Sequence, residues 1–442
     1  MTPIADPQTS MLLTALRSAR VSPNTDFSVS PPLSAPVSSN NLVKVKSIDD
    51  MKEKIVEWLD SVGLKVNPFA VLDASRDPFI PFYLIDHDEF RSISGNFVSF
   101  VYAPPGSGKS AFRVRLARDC RVGKDGRKIF PIVYNLPAPG SVTISSDMHY
   151  RELARSAAYE LMLHLVYHAP SFINDEALLS QFQQVFDSNL SPVNIIQQMV
   201  EQGGVQPLLD SYDQTARLLP NPPGERDILL LAEKMKNLRY PVIPIQRISF
   251  KQRFEQIISI VFEKLGYEAI YILVDGVDGY VETGGDANRA VDAISWLVTK
   301  TGEWTGNRIY IKYFLPVETK VILEREFSLL TSKSKITMIE WNTETLSEVI
   351  RQRLQEASGG KYNSLRAISS LPLRGAKQAP EEVLASEIVK LGNATPRDLI
   401  QAVNRLLTHH AQYEEQEKLT PKDMQAAIDW IRFGRSFKTR HA

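Results

Sequence analysis

The sequence predicts an α/β protein built on a doubly wound parallel sheet of five strands, with a large helical insertion and a C-terminal helical lid. Two observations lead to this prediction. Apolar runs such as residues 269–275 show no alternation, which is typical of strands buried on both faces of a parallel sheet. Helical patterns such as residues 287–299 separate these runs, so strand and helix alternate along the chain. The predicted strands are residues 97–102, 128–136, 269–275, 309–315 and 335–341.

Composition limits the classes of protein to consider. The chain has 442 residues with 43% hydrophobic content, enough for two or more domains with sizeable cores. Its 51 basic residues balance 51 acidic residues, so no overall field favours nucleic acid or an anionic membrane. Cys120 is the single cysteine, which excludes an internal disulfide framework and fits a packed thiol in a reducing compartment. Because no apolar run approaches the ~20 residues of a membrane span, we expect a cytoplasmic protein without a membrane partner.

The chain divides into four regions. The first is rich in Ser and Pro and almost free of charge, which predicts a disordered arm. The second begins with a helical pattern and continues as an extended segment expected to pack on the core. The third carries the five strands, and its long helical insertion breaks at prolines and glycines. The fourth is a helical lid with a C-terminal helix and basic tail. In order, these regions are residues 1–47, 48–92, 93–345 (insertion at about 147–266) and 346–442.

A glycine-rich loop follows the first strand, and we call residues 103–110 the glycine loop. Gly106 and Gly108 allow the backbone to curl so that its N–H groups point inward, beside the positive end of the next helix. The pattern is that of a phosphate-binding loop, in which Lys109 reaches the phosphates and the Ser110 hydroxyl ligates Mg²⁺. Ala103 stands where the pattern has its first glycine. The predicted phosphate-contacting residues are Pro105, Gly106, Ser107, Gly108, Lys109, Ser110 and Ala111.

An aspartate ends the third predicted strand. Asp275 occupies the carboxyl end of that strand, where open α/β sheets bind their ligands. A carboxylate at this place can hold Mg²⁺ through its waters, so Ser110 and Asp275 are the predicted metal residues. In the segment before the first strand, Phe82 and Tyr83 are candidates for stacking on a base, although ordinary core packing is the favoured interpretation.

With these motifs placed, the chain resembles the additional-strand P-loop ATPases, of the AAA+ and STAND (KAP-like) branches, over roughly residues 93–412. The matching features are the glycine loop, the strand that ends at residues 275–278, and Asn-Ala-Thr-Pro-Arg at 393–397, which is similar to the start of a lid helix. The resemblance implies a P-loop NTPase fold with ATP and Mg²⁺ as cofactors. Gly276 and Gly279 replace glutamates that these branches carry, so binding with slow hydrolysis is expected.

The resemblance also implies roles for individual residues. Hydrolysis requires a carboxylate that orients water and a positive charge on the transition state. Asp278 is the candidate carboxylate, with a turn-capping aspartate as the alternative and Glu282 in reserve, and Lys109 and Arg397 are the other predicted catalytic residues. Arg397 resembles a sensor that reports the γ-phosphate to the lid, or else it pairs with Asp398 or Glu382. Glu318 and Lys320 fall in the place of the γ-phosphate sensor at the end of the fourth strand, and Arg325 in the region of an arginine finger.

These roles predict a nucleotide-dependent switch that controls oligomerisation or partner binding. A homo-oligomer and a sensor or effector protein acting in trans are the expected partners, in a system such as bacterial defence or signalling. Two alternatives remain open. One is a DNA-associated AAA+ ATPase that uses the basic segment 432–440, with neutral net charge as evidence against it. The other is a nucleotide-dependent scaffold that does not hydrolyse ATP.

Overall fold

A computed structural model gives the fold for most of the chain. The predicted arm at 1–47 lies outside the residues that it describes, as do Asn393 and the end of the basic tail. The side chain of Phe82 lies outside them too. The described residues are 48–74, 76–77, 80–85, 87–137, 144–186, 192–219, 224–237, 248–392, 394–413 and 417–434.

A five-stranded sheet forms the centre of the molecule, and all of its strands are parallel. Their spatial order is β2-β3-β4-β1-β5, so β4 lies between β1 and β3. The predicted α/β class and the parallel five-stranded sheet are confirmed. The strands are β1 (Ser99–Ala103), β2 (Ile129–Tyr134), β3 (Ala269–Val274), β4 (Ile309–Pro316) and β5 (Lys335–Met338).

Helices surround the sheet and also form the insertion and the C-terminal region. They are α1 (Ile48–Ser61), α2 (Ile80–Tyr83), α3 (Asp88–Arg91), α4 (Lys109–Arg121), α5 (Ser146–Tyr167), α6 (Ala169–Phe172), α7 (Glu176–Val185), α8 (Pro192–Gln202), α9 (Gln206–Ser211), α10 (Glu225–Asn237), α11 (Phe250–Ser259), α12 (Ala287–Gly306), α13 (Thr319–Glu326), α14 (Ser328–Thr331), α15 (Thr343–Ala357), α16 (Leu371–Arg374), α17 (Pro380–Lys390), α18 (Pro396–Tyr413) and α19 (Pro421–Asp429).

Strands β1 to β4 are buried on both faces, which explains why their sequences are largely apolar, whereas the edge strand β5 is partly exposed. Alternate residues of a strand point to opposite faces. In β1, Phe100 and Tyr102 join a large apolar cluster with insertion helix α5, whereas Val101 joins a smaller cluster under α4. The insertion therefore extends the core over one face of the sheet. Its first helix, α5, packs on β2 and on α11.

A second apolar core joins the N-terminal helix to the C-terminal helices. Leu59 and Phe69 are buried together with residues of α15, α17, α18 and α19. Helix α1 packs on α18, although we expected this segment to pack on the core domain. The apolar face of α18 supplies the surface that α1 covers. Helix α2 contacts both α15 and α4, so the segment before β1 joins the sheet to the C-terminal region.

In the part of the chain that the structure describes, no helix combines the length and the apolar character needed to cross a membrane.

Candidate functional site

The glycine loop connects β1 to α4 at the carboxyl edge of the sheet. Gly106 and Gly108 have φ values of 86° and 88°, in the left-handed region where a side chain is strained. Gly108 directly precedes the first residue of α4 and has no side chain to cap it. The first N–H groups of α4 therefore have no acceptor within the helix, and they give this end of the helix a positive potential.

Lys109 fills the centre of this loop. Its Nζ donates to the carbonyl oxygens of Ala103 and Pro104, at 3.0 and 3.2 Å, and lies 3.1 Å from Asp278 Oδ2. The Lys109 side chain is 5% exposed, and that of Asp278 is 27% exposed. The structure thus brings together the predicted phosphate-binding lysine and the predicted catalytic carboxylate. In this conformation they neutralise each other.

Asp275 has a different cation beside it. Arg113 Nε lies 3.3 Å from Asp275 Oδ2, and both side chains are almost buried. Arg113 is four residues beyond Lys109, so both cations stand on one face of α4. Each of the two aspartates in the segment after β3 therefore forms an ion pair with a cation of α4.

Arg397 reaches the glycine loop from the C-terminal helices. Its backbone N–H donates to the Gly106 carbonyl at 3.3 Å. A Cβ placed on Gly106 would lie 3.0 Å from Arg397 Cβ, which is tighter than most side-chain contacts. The loop therefore needs glycine at this position for a second reason besides its φ. Glu382, one alternative partner for Arg397, accepts a hydrogen bond from Arg351 at 2.7 Å.

One cavity adjoins the glycine loop and extends between α2 and the C-terminal helices. Its lining combines Lys109 and Ser110 of the glycine loop with apolar side chains such as those of Phe112 and Trp341. Such a cavity suits a ligand with one charged and one flat apolar part. The residues that line it are Leu72, Asp73, Ala74, Ile80, Tyr83, Leu84, Ile85, Phe90, Gly106, Gly108, Lys109, Ser110, Ala111, Phe112, Arg115, Asp278, Trp341, Val349, Arg353, Pro396, Arg397 and Ile400.

Tyr83 lines this cavity and is also buried. The guanidinium of Arg353 lies 4.7 Å from the centre of its ring, and both residues are buried. Burial raises the pKa of the Tyr83 hydroxyl, so it stays protonated. Core packing and ligand stacking are thus compatible for Tyr83, because one face of its ring can border the cavity while the other face packs in the core.

Four other candidate residues stand apart from the described lining of the cavity. Glu282 lies in a short turn beyond β3, and Glu318 is exposed at the start of α13. Lys320 Nζ lies 3.9 Å from Oε1 of Glu324 on the same helix. Arg325 is 67% exposed and pairs with neighbouring Glu326. Asp278 therefore has the better position for contact with a ligand than Glu282.

Sequence reasoning missed two residues that contact this site. The sequence could have identified Arg113, because a residue four positions after Lys109 lies on the same face of the helix. Trp341 was counted in the fifth strand, but β5 ends at Met338. Its indole Nε1 donates to the Ser107 carbonyl at 3.0 Å, so it holds the glycine loop from the side. Since parallel strands end at one edge, a large side chain just after β5 could have been assigned to that edge.

A buried ion network lies beside the Arg113–Asp275 pair. Arg121 donates two hydrogen bonds to Glu160, at 2.9 and 2.7 Å, and one to Asp213 at 2.9 Å. Burial alone would raise the pKa of Asp213, but the charges of Arg121 and Arg113, with hydrogen bonds from Thr215, outweigh it and lower the pKa to about 2. This network fixes the insertion helix α5 to the end of α4.

Cys120 is buried on the inner side of α4. Burial raises the pKa of its thiol to about 12, so the thiol stays protonated at neutral pH. A protonated buried thiol is a poor nucleophile. The residue contributes to packing under the sheet, as the sequence suggested.

No family model, curated protein or solved structure matches this chain.

Proposed function

We propose that the chain is an ATP-binding, slowly hydrolysing P-loop ATPase of the additional-strand class that acts as a nucleotide-dependent switch. The observation that carries the proposal is that the first residues of α4, Asp278 and Arg397 all border one cavity at the carboxyl edge of the sheet. These groups come from three distant parts of the chain. Their chemistry is that of a phosphate cradle, a water-orienting carboxylate and a mobile cation.

The strand order supports the same class. The glycine loop follows β1, and Asp275 follows β3, yet β4 lies between those two strands. A strand in that position is the feature from which the additional-strand class takes its name. The crevice between the carboxyl ends of neighbouring strands is where open α/β sheets bind ligands.

The ion pair between Lys109 and Asp278 suggests how binding prepares hydrolysis. A polyphosphate in the loop would compete with Asp278 for the Lys109 ammonium, because phosphate oxygens carry more charge than one carboxylate. Once Lys109 turns to the phosphates, Asp278 is free to accept a hydrogen bond from water. The N–H groups at the start of α4 would hold the phosphate oxygens meanwhile.

The oxygen donors near the loop fit Mg²⁺. Asp275 offers a carboxylate and Ser110 a hydroxyl, and Mg²⁺ usually takes one or two protein oxygens together with waters and phosphates. Within the described ranges, no three or more His, Cys, Asp or Glu side chains are grouped to hold a metal. When bound, Mg²⁺ would neutralise charge on the phosphate oxygens.

Arg397 links the nucleotide to the C-terminal helices. Its backbone already touches the glycine loop, and its side chain borders the cavity. A γ-phosphate that attracts the Arg397 guanidinium would draw the start of α18 toward the loop, and ADP would attract it less. Such a difference between nucleotides is what a switch requires, because a ligand shifts a conformation only through its differential affinity. The outcome would control assembly or the binding of a partner protein.

The test is to measure ATP affinity by calorimetry in wild type, Lys109→Ala and Lys124→Ala. Lys124 lies just beyond the same helix, is 47% exposed, and its Nζ lies 3.2 Å from Asp119 Oδ2, so its removal is the matched control. We expect Lys109→Ala to lose detectable binding while its circular dichroism stays unchanged, and Lys124→Ala to bind as wild type. Unchanged affinity in Lys109→Ala would refute the proposal.

In the same experiment, Asp278→Asn separates hydrolysis from binding. We expect this variant to bind ATP at least as tightly as wild type, because Lys109 no longer has to leave a carboxylate. Its turnover should be lost. Equal turnover in Asp278→Asn and wild type would remove Asp278 from catalysis, and a wild type that binds ATP without turnover would favour the non-hydrolysing scaffold.

A further inference from the structure

The two ion pairs between α4 and the segment after β3 differ in their access to the cavity. Lys109 and Asp278 border the cavity, where a ligand can separate them. Asp275 and Arg113 are absent from the cavity lining among the described residues, and their side chains are only 10% and 6% exposed. The predicted magnesium carboxylate is therefore held in a closed ion pair, at an N–O distance of 3.3 Å.

A closed pair at this position opposes the entry of another cation. A guanidinium cannot lose its proton at accessible pH, so its charge is permanent. Charges this deeply buried are poorly screened by salt. A hydrated Mg²⁺ ion that approaches Asp275 therefore meets both a neutralised carboxylate and a fixed positive charge.

We propose that Arg113 is a positioning residue that holds Asp275 and keeps Mg²⁺ out of the site until the phosphates of a nucleotide enter with it. This inference rests on the proposed function. The phosphates supply the negative charge that offsets Arg113 and Lys109 together, so the metal enters as part of a metal–nucleotide complex. The charge of Arg113 also acts on a second carboxylate, Asp213, whose pKa it helps Arg121 to lower.

The alternative is that Arg113 serves only to pack α4 against the sheet. A packing role depends on the size of the side chain, whereas the proposed role depends on its charge. Arg113→Lys keeps the charge, whereas Arg113→Gln removes the charge and also shortens the side chain, a shortening that Arg118→Gln reproduces elsewhere on the helix. The two variants therefore separate the explanations, and Arg118→Gln on the same helix controls for loss of an arginine.

The experiment follows the binding of a fluorescent ATP analogue across a range of Mg²⁺ concentrations. We expect Arg113→Gln to lower the half-saturating Mg²⁺ concentration by about tenfold, since a unit charge near a poorly solvated carboxylate changes its affinity for a cation by roughly that factor. Arg113→Lys and Arg118→Gln should resemble wild type. A wild-type Mg²⁺ requirement in Arg113→Gln would overturn the proposal.

A second measurement needs no change at Arg113. Wild-type protein is titrated with Mn²⁺, which replaces Mg²⁺ and is detected by electron paramagnetic resonance, first without nucleotide and then with ADP. We expect saturable Mn²⁺ binding only when ADP is present. Saturable binding without nucleotide that disappears in Asp275→Asn would overturn the proposal.

The two proposals fail in distinguishable ways. A wild type that binds no ATP at any Mg²⁺ concentration contradicts the proposed function itself. A wild type that binds ATP, beside an Arg113→Gln variant with the same Mg²⁺ requirement, contradicts only the role of Arg113.

Discussion

Lys109 shows how a single residue can be placed by its neighbours before any ligand binds. Two backbone carbonyls and Asp278 surround its ammonium group, and the side chain is 5% exposed. The carbonyl contacts come from the glycine loop itself, while Asp278 comes from beyond β3. The first kind of contact follows from the local sequence, and the second requires β3 to lie near β1 in the folded sheet.

His149 gives a residue-scale prediction about pH. Burial lowers the pKa of this histidine to about 4, from 6.5 in the unfolded chain. The unfolded state therefore binds more protons than the native state between those values, so stability is full above pH 6.5 and falls as the pH drops toward 4. The maximum loss from this residue is roughly 3 kcal/mol.

Urea denaturation of wild type and His149→Asn at pH 7 and pH 4.5 checks this prediction. The variant should lose less stability over that interval, because asparagine does not titrate. Tyr134→Phe is the control, since it removes the hydroxyl 2.7 Å from His149 Nδ1 but keeps the histidine. Identical pH dependence in wild type and His149→Asn would show that this imidazole does not govern acid stability.

At the scale of elements, the site is assembled from strand ends and helix starts. The glycine loop follows β1, the two aspartates follow β3, Trp341 follows β5, and Arg397 begins α18. Because the strands are parallel, their carboxyl ends meet at one edge, and short loops bring their side chains together. The C-terminal helices complete the cavity from the opposite side.

Trp341 gives the prediction at this scale. Its hydrogen bond to Ser107 ties the segment after β5 to the glycine loop. Trp341→Phe keeps an aromatic ring and removes this bond, so we expect ATP affinity to fall by about two- to tenfold, the worth of one net hydrogen bond.

Trp58 offers a matched control for Trp341. Its indole also donates to a backbone carbonyl at 3.0 Å, that of Glu417, but in the C-terminal core away from the loop. Calorimetry should show weaker ATP binding in Trp341→Phe and wild-type binding in Trp58→Phe. Equal affinity in both variants would mean that the Trp341 bond does not shape the loop.

At the scale of the whole molecule, two cores meet at the cavity. One lies under α4 and includes Phe112, and the other joins α1 to the C-terminal helices and includes Val349 and Ile400. A ligand in the cavity would touch both, through the glycine loop on one side and Arg397 on the other. This arrangement lets a small difference between ATP and ADP act on the relative position of the cores.

The rate of ATP hydrolysis per chain should rise with protein concentration if catalysis needs a cation from a second copy. Arg325 is 67% exposed on α13, and it stands apart from the described lining of its own cavity, so it can serve a neighbour. We expect Arg325→Ala to abolish this rise without changing ATP affinity.

Light scattering measured in parallel gives the mass at each concentration. Arg155→Ala, at another partly exposed arginine on the insertion, should behave as wild type. A constant rate per chain while the mass increases would show that assembly does not contribute to hydrolysis.

The sequence by itself determined the elements of this protein. Largely apolar runs located all five strands. Burial on both faces explains these runs for β1 to β4, whereas β5 is partly exposed. The two glycines and Lys109 located the glycine loop, because a left-handed backbone demands glycine whatever the surrounding fold. Asp275 was found because it directly follows an apolar strand, and Asp278 through the resemblance of residues 275–278 to the STAND pattern.

Only the tertiary structure decided which side chains meet. The pairing of Arg113 with Asp275, the bond from Trp341 to the loop, and the packing of α1 on α18 all join residues far apart in sequence. These contacts depend on the order of the strands and on the position of the C-terminal helices. Local patterns encode neither, because periodicity says which face of an element is buried and does not say what covers it.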